Sequence, residues 1–196
     1  MLQIMIETNE RYSVAESAQI AIEAGAQWLV LRADTIDESE RRDIGKQVAD
    51  LCRESGVILT VDSDIEFARE LGIHGVLLRP GSKAPAAVRE ELGPEAIIGV
   101  EISSADTALA LERNDIDYVA LSADMQLDRV AELIAAVRKA EGKIAFVSLG
   151  EQPTLDGEYI DGLKAAGIAG LCCGKALFAA PDPVVAIENL MSELMA

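Results

Sequence analysis

One histidine, His74, and three cysteines, Cys52, Cys172 and Cys173, are all that 196 residues hold of those two types. An odd number of cysteines without a spacing pattern argues against a disulfide framework. Cys172 and Cys173 are adjacent, and successive side chains on a strand point to opposite faces, so the two cannot easily share a metal. A zinc site or a Ser-His-Asp triad would have to be built around His74. Aromatic residues are scarce as well, with one Trp, three Tyr and three Phe, and they form no stacking platform of the kind nucleic-acid binding uses. Basic residues number seventeen against thirty-four acidic ones, a net charge of −17. That balance opposes non-specific binding to nucleic acid or to an anionic membrane. No apolar run approaches the ~20 residues needed to span a bilayer. The opening MLQIMIETNE has no basic region and no cleavage signal, so the expected location is the cytoplasm.

What the chain does have is an alternation of two patterns. Short runs rich in Val, Ile and Leu occur at Leu2 to Ile6, Gln27 to Arg32, Val57 to Val61 and Gly75 to Leu78. Four more follow at Ala96 to Val100, Asp117 to Leu121, Lys143 to Ser148 and Ala169 to Cys173. They are nearly continuous in apolar character, as strands buried on both faces should be. Helical periodicity lies between them: Val14, Ala18, Ala21 and Ile22; Ile44, Val48 and Leu51; Ile65, Ala68 and Leu71; Val130, Leu133, Ile134 and Val137. Gly25, Gly72 and Gly167 each stand just past a helical pattern and shortly before a strand. Eight β-then-α units without a linker predict one (β/α)8 barrel domain over residues 1–196. An open doubly wound sheet is the competitor, but no G-x-G-x-x-G follows the first strand.

In such a barrel the active site is built where strands end and βα loops begin. Those positions carry Glu7, Arg32 and Asp34, Asp62 and Asp64, Arg79, Glu101, Ser122 and Asp124, Ser148, and Gly174-Lys175. One reading is a mouth that binds an anionic, phosphorylated ligand through Arg32, Arg79 and Lys175, with the carboxylates holding Mg²⁺ or doing acid–base work. The other is a rim of mutually neutralising ion pairs. Arg32 ends an otherwise apolar strand, so its charge is expected to point into the mouth. Gly174 permits close approach of backbone N–H groups to an anion, and Lys175 adds a point charge. The seventh loop offers one glycine, Gly150, followed by Glu151, whose sign is wrong for an anion cradle. His74 precedes the fourth strand, at the end away from the mouth, and reads as scaffold. Trp28, Tyr118 and Tyr159 read as core or rim aromatics.

These pieces resemble the thiamine phosphate synthase and thiazole tautomerase superfamily of phosphate-binding barrels. The resemblance runs from about Ala24 to the C-terminus. It is carried by EAGAQWLVLR (Glu23 to Arg32), DIEFARELGIHGVLL (Asp64 to Leu78), ELGPEAIIGVEISSADTALALERNDIDYVAL (Glu91 to Leu121) and KAAGIAGLCCGKALFAAPDPVVAI (Lys164 to Ile187). It implies joining a pyrimidine diphosphate to a thiazole phosphate, with pyrophosphate leaving and Mg²⁺ neutralising it. Together with the strand-end reading it gives candidate roles to Arg32, Asp62 and Lys175 in catalysis and to Arg32, Arg79, Gly150, Gly174 and Lys175 in holding phosphate, with Asp62 and Asp64 as substitute metal ligands. Several positions depart from the family pattern. Q-L-R-x-K is Val30-Leu31-Arg32-Ala33-Asp34, the expected metal position in I-N-D-R-x-D is Ser63, and that in H-L-G-Q-x-D is Ser82. The serine after strand five is Glu101, SADMQ (Ser122 to Gln126) stands where T-x-T-K is expected, and the V-S pair is Gly174-Lys175. The tautomerase branch would place a catalytic histidine where this chain has Ala123. Two functions follow: a synthase-like transferase, or a non-catalytic barrel that binds phosphorylated ligands or a partner. Mg²⁺ is the one cofactor implied, a phosphorylated small molecule the expected partner, and a homo-oligomer the assembly considered.

Overall fold

The computed structural model describes residues 1–112, 116–150 and 157–196. Eight parallel strands close on themselves in sequence order: β1 (Leu2–Ile6), β2 (Trp28–Leu31), β3 (Ile58–Asp62), β4 (Gly75–Leu78), β5 (Ile97–Ile102), β6 (Tyr118–Leu121), β7 (Ala145–Gly150) and β8 (Gly170–Cys173). The helices are α1 (Val14–Glu23), α2 (Arg41–Ser55), α3 (Ile65–Leu71), α4 (Pro85–Leu92), α5 (Ala105–Glu112), α6 (Leu127–Lys139), α7 (Gly157–Ala166), α8 (Lys175–Ala179) and α9 (Pro183–Met195). The (β/α)8 barrel expected from the alternation of patterns is therefore the fold found. The short α8 is additional to one helix per strand. Among the described residues, no helix is long and apolar enough to cross a membrane.

Each strand sends alternate side chains to two different cores, because successive Cβ atoms point to opposite faces. Ile4, Ile6, Leu29, Leu31, Val76 and Phe146 join the outer core beneath the helices. Met5, Trp28, Val30, Leu77, Tyr118 and Val147 fill the shaft. Both faces are dry, which explains why the strands read as unbroken apolar runs. The shaft is also tightly packed. A Cβ on Gly99 would stand 2.1 Å from Tyr118 Cζ, so the missing side chain makes room for that ring. Tyr118 meets Trp28 edge to face at 5.7 Å between centroids, an arrangement worth about 0.5–1.5 kcal/mol beyond burial. Trp28 Nε1 donates to Thr60 Oγ1 at 3.0 Å. Both rings are thus core, as their sequence context suggested.

Local signals set the helix ends. Ser13 and Glu16 form a reciprocal capping box at α1, and Asp64 and Asp182 cap α3 and α9 through the amides of Phe67 and Val185. Gly25, Gly72 and Gly167 follow their helices with φ of 85°, 61° and 92°. At the end of the barrel away from the mouth, the Leu59 amide donates to His74 Nδ1 at 3.1 Å. The Ile97 amide in turn donates to the His74 carbonyl at 2.9 Å, so His74 ties three consecutive strands together.

The cysteines divide as the alternation requires: Cys173 faces the helices and Cys172 the shaft. All three are buried, and none forms a disulfide. Burial pushes the thiols of Cys52 and Cys173 up from an ordinary 9.0 to about 11 and about 12. An unfolded chain ionises these thiols before the folded one does. Their contribution to stability is present in full below pH 9 and is lost as the pH rises towards 12. The urea midpoint is therefore expected to fall between pH 9 and 11, and less steeply in a Cys52→Ala, Cys173→Ala double variant. The same slope in both proteins would refute the assignment.

Candidate functional site

The barrel register decides which charged residues meet. The pairings Ile6↔Leu31 and Leu31↔Val61, continued by one residue, set Glu7 beside Arg32 and Arg32 beside Asp62. Leu78↔Val100, continued likewise, sets Arg79 beside Glu101. Strand β5 runs to Ile102, two residues further than its apolar run predicts, because Glu101 and Ile102 continue the pairing with Ala120 and Leu121 of β6. The side chains follow this order. Arg32 Nη1 donates to Glu7 Oε2 at 3.0 Å, and Arg32 Nε stands 3.7 Å from Asp62 Oδ2. Arg79 Nε and Nη2 donate to the two oxygens of Asp62 at 2.8 and 2.6 Å, and Arg79 Nη1 donates to Glu101 Oε2 at 2.7 Å. Lys175 Nζ stands 3.7 Å from Glu7 Oε1. The mouth is thus crossed by a line of alternating charge: Lys175, Glu7, Arg32, Asp62, Arg79, Glu101.

The links differ in strength. The Arg79–Asp62 fork is bidentate, the strongest geometry for this pair of groups. Hydrogen bonding to Asp62, ahead of the cost of burial, raises the Arg79 pKa further above its already high value. Asp62 is 7% exposed and also accepts from Ser63 Oγ at 3.1 Å. Ser63 holds a left-handed backbone, φ 64°, and its amide donates to Leu77 O at 2.9 Å. Such a conformation costs about 1 kcal/mol or more for a residue with a Cβ. Asp64 lies outside this line: one oxygen caps α3 and the other accepts from Arg41 at 3.2 Å. All four oxygens of Asp62 and Asp64 are therefore engaged by N–H donors. Among the described residues no three His, Cys, Asp or Glu groups come together as a metal set. As arranged, these carboxylates do not fit Mg²⁺.

The other half of the mouth is small and apolar, made by Ala123, Leu149, Cys172 and the backbone of Gly150 and Gly174, with Lys175 above. The space left there is only ≈ 20 Å³. The room lies to either side: ≈ 440 Å³ flanked by Arg32, Arg41, Asp62, Ser63 and Arg79, and ≈ 210 Å³ beneath the β1–α1 loop, between Asn9, Arg11 and α8. Gly174 is fixed by space, since a Cβ would stand 2.1 Å from Met5 O. Ser148, expected at a strand end, lies inside β7 on the side of Phe146. It faces the helices because it shares the parity of Phe146, while Val147 and Leu149 enter the shaft, and β7 runs on past it to Gly150, so it is not at the strand end. Glu151 and the rest of the seventh loop lie outside the described residues.

Arg32, Arg79, Asp62 and Lys175 are thus brought together, Gly150 and Gly174 adjoin them, and Asp64 stands apart with Arg41. Glu7 carries more of the site than a strand-end acid suggests. Its signal is the alternation Gln3, Met5, Glu7, which sends a carboxylate into the shaft at the top of β1.

Known proteins agree with this architecture. The family model described as thiamine monophosphate synthase matches residues 2–177. A thiamine-phosphate synthase from Bacteroides fragilis strain YCH46 is 26% identical over 203 residues, covering 97% of this chain and 98% of that one. One from Natronomonas pharaonis is 30% identical over 192 residues, covering 91% and 86%. The structure of a thiamine phosphate pyrophosphorylase from Pyrococcus furiosus superposes with a TM-score of 0.83 over 99% of this chain and 95% of that one. At 23% identity that superposition speaks for the fold.

Replacing Asp62 by Asn leaves the Arg79 guanidinium, 31% exposed, with one anionic partner in place of two. The expected cost is about 1–3 kcal/mol, below that of a fully buried pair because water reaches Arg79. Urea denaturation of Asp62→Asn checks this, and an unchanged midpoint would show that the fork adds nothing to the fold.

Proposed function

The chain belongs to the thiamine monophosphate synthase family, and from that membership we propose that it is a transferase of thiamine biosynthesis. It joins a pyrimidine diphosphate to a thiazole phosphate, and pyrophosphate leaves. The observation that carries this reading is the convergence of Arg32, Arg79 and Lys175 at the strand ends of a barrel with the family's pattern over nearly its whole length.

The chemistry asks mainly for charge. As the bond to the leaving group breaks, negative charge grows on pyrophosphate, and fixed cations in a partly dry site stabilise that change. Lys175, 59% exposed, and Arg32 can turn towards an incoming phosphate. Arg79 has three nitrogens engaged and contributes its field from a fixed position. Asp62 acts by holding Arg79. Gly150 and Gly174 bring backbone close to a phosphate with no side chain between. No step is routed through a metal ion, and Mg²⁺ enters as a variable of the assay. Nucleic acid and membrane surfaces are not among the proposed partners.

A second reading is favoured by one observation: ion pairs cross the mouth, and only ≈ 20 Å³ is left in its apolar half beside Gly150, Gly174 and Lys175. On this reading the chain binds a phosphorylated small molecule without turning it over. Incubation with the pyrimidine diphosphate and the thiazole phosphate, with and without Mg²⁺, separates the two. Thiamine phosphate above a no-protein blank is the expected result. None, with an active synthase running alongside, leaves the binding reading. In both cases pyrophosphate at 100 times its Kd should stabilise the protein by about 2.7 kcal/mol, seen as a raised Tm. Lys175→Ala should abolish that rise, and an undiminished rise would place the anion elsewhere.

A further inference from the structure

Glu7 sits where an anionic ligand would. Its two carboxylate oxygens face two cations from opposite sides of β1: Oε2 accepts from Arg32 of the β2 end at 3.0 Å, and Oε1 lies 3.7 Å from Lys175 of the β8 end. One oxygen per cation, bridging two neighbouring strands, is how a phosphoryl group would engage the same pair. The carboxylate is only 7% exposed, so it is part of the lining and not a rim group that wanders into the mouth. It is also the least firmly held acid of the line. Asp62 is gripped by a fork and Glu101 by a 2.7 Å bond, whereas Glu7 accepts one longer bond, from Arg32 at 3.0 Å, and its other oxygen lies beyond hydrogen-bonding distance of Lys175.

The surroundings give Glu7 a second place to go. Glu7 and Lys175 line both the residual space of the mouth and the ≈ 210 Å³ cavity on the other side. They form the partition between the two. That cavity is bounded by Asn9, Arg11, Phe178 and Ala179. The Arg11 guanidinium is fastened there by donating to Phe178 O at 3.0 Å, to Pro181 O at 3.4 Å and to Ala180 O. A carboxylate turned out of the mouth about its own side-chain bonds enters a cavity whose lining holds the fixed Arg11 guanidinium beside one other acid, Glu10.

We propose that Glu7 is a built-in competing anion, which holds Arg32 and Lys175 until a phosphorylated ligand displaces it into the cavity beside Arg11. The proposal rests on the anion-binding part of the reading above and adds what sets its strength. A like charge a few ångströms from the phosphate weakens its binding, and the effect is large where water is partly excluded. Glu7 therefore sets the mouth to hold phosphates weakly and to release pyrophosphate.

Inorganic pyrophosphate is the probe, titrated by calorimetry at fixed pH and ionic strength into the wild-type chain and into Glu7→Gln. The variant keeps the shape and removes the charge, and it is expected to bind about tenfold tighter or more. A residue with a merely structural role would give weaker binding on substitution, so the direction of change is diagnostic. In Glu7→Gln, Lys175→Ala the gain should vanish. Equal or weaker binding by Glu7→Gln, binding by neither protein, or a gain that survives Lys175→Ala would each overturn the proposal. If Glu7→Gln fails to fold, Glu7→Ala carries the test: it also removes the charge, so it should bind pyrophosphate tighter than wild type, and unchanged or weaker binding refutes the idea. The outcome is independent of turnover. A wild type that makes no thiamine phosphate, with a tighter-binding variant, loses the reaction and keeps the role of Glu7. An active wild type whose variant gains nothing loses that role and keeps the reaction.

Discussion

Closure of eight strands on one another is the constraint from which the rest follows. An eight-stranded barrel has an interior just wide enough for its own side chains, and every second residue of each strand must enter it. Below the mouth this interior takes Met5, Val30, Leu77 and Val147 without difficulty. At the top of β1 to β5 the same alternation delivers Glu7, Arg32, Asp62, Arg79 and Glu101. The space does not allow each of them a full hydration shell. Desolvated charges are tolerated only when paired, and their signs alternate in the order in which the strands stand side by side. The line of ion pairs is thus what permits a charged mouth on a closed barrel.

The line is uneven, and the unevenness has a direction. It is tightest at Arg79, where a fork and a third bond fix the guanidinium, and loosest at Lys175, which is mostly in water. The described lining on the β6 to β8 side is small and apolar, with Ala123, Leu149 and Cys172. Positive charge is therefore most available next to the small, apolar wall and least available opposite it. The backbone of Gly150 and Gly174 lies on the same side. Close approach, an adjustable cation and an apolar surface coincide at one edge of the mouth, while the other edge is held rigid.

Much of this architecture was legible in the sequence because it depends on alternation. Eight apolar runs and glycines at positions 25, 72 and 167 need no long-range information. The inward aim of Arg32 followed from its place at the end of an apolar strand. The partners of each charge were not legible. They depend on the stagger between neighbouring strands, which is even from β1 to β3 and shifts between β3 and β4, where Asp62 stands beside Leu77 and reaches Arg79 two residues on. No local pattern records that shift. The same limit applies to the end of β7, which runs two residues past Ser148 and leaves that serine inside the strand. It applies also to Asp62 and Asp64, near neighbours in sequence, of which one joins the mouth and the other caps a helix.

A mouth neutral by construction need not be an idle one. A site with unpaired arginines would bind phosphates whenever they are present and would release pyrophosphate slowly. A site whose cations are already paired gives up binding energy to free them, and returns to the paired state as the product leaves. Weak ground-state binding is compatible with fast turnover when the charges it frees act on the transition state. The ion pairs that make the mouth look closed are therefore consistent with both catalysis and simple binding. What separates the two is how readily the pairs exchange, and by geometry Glu7 exchanges first and Arg79 last. The family's chemistry, if this chain performs it, has to be carried from the Lys175 side of the mouth.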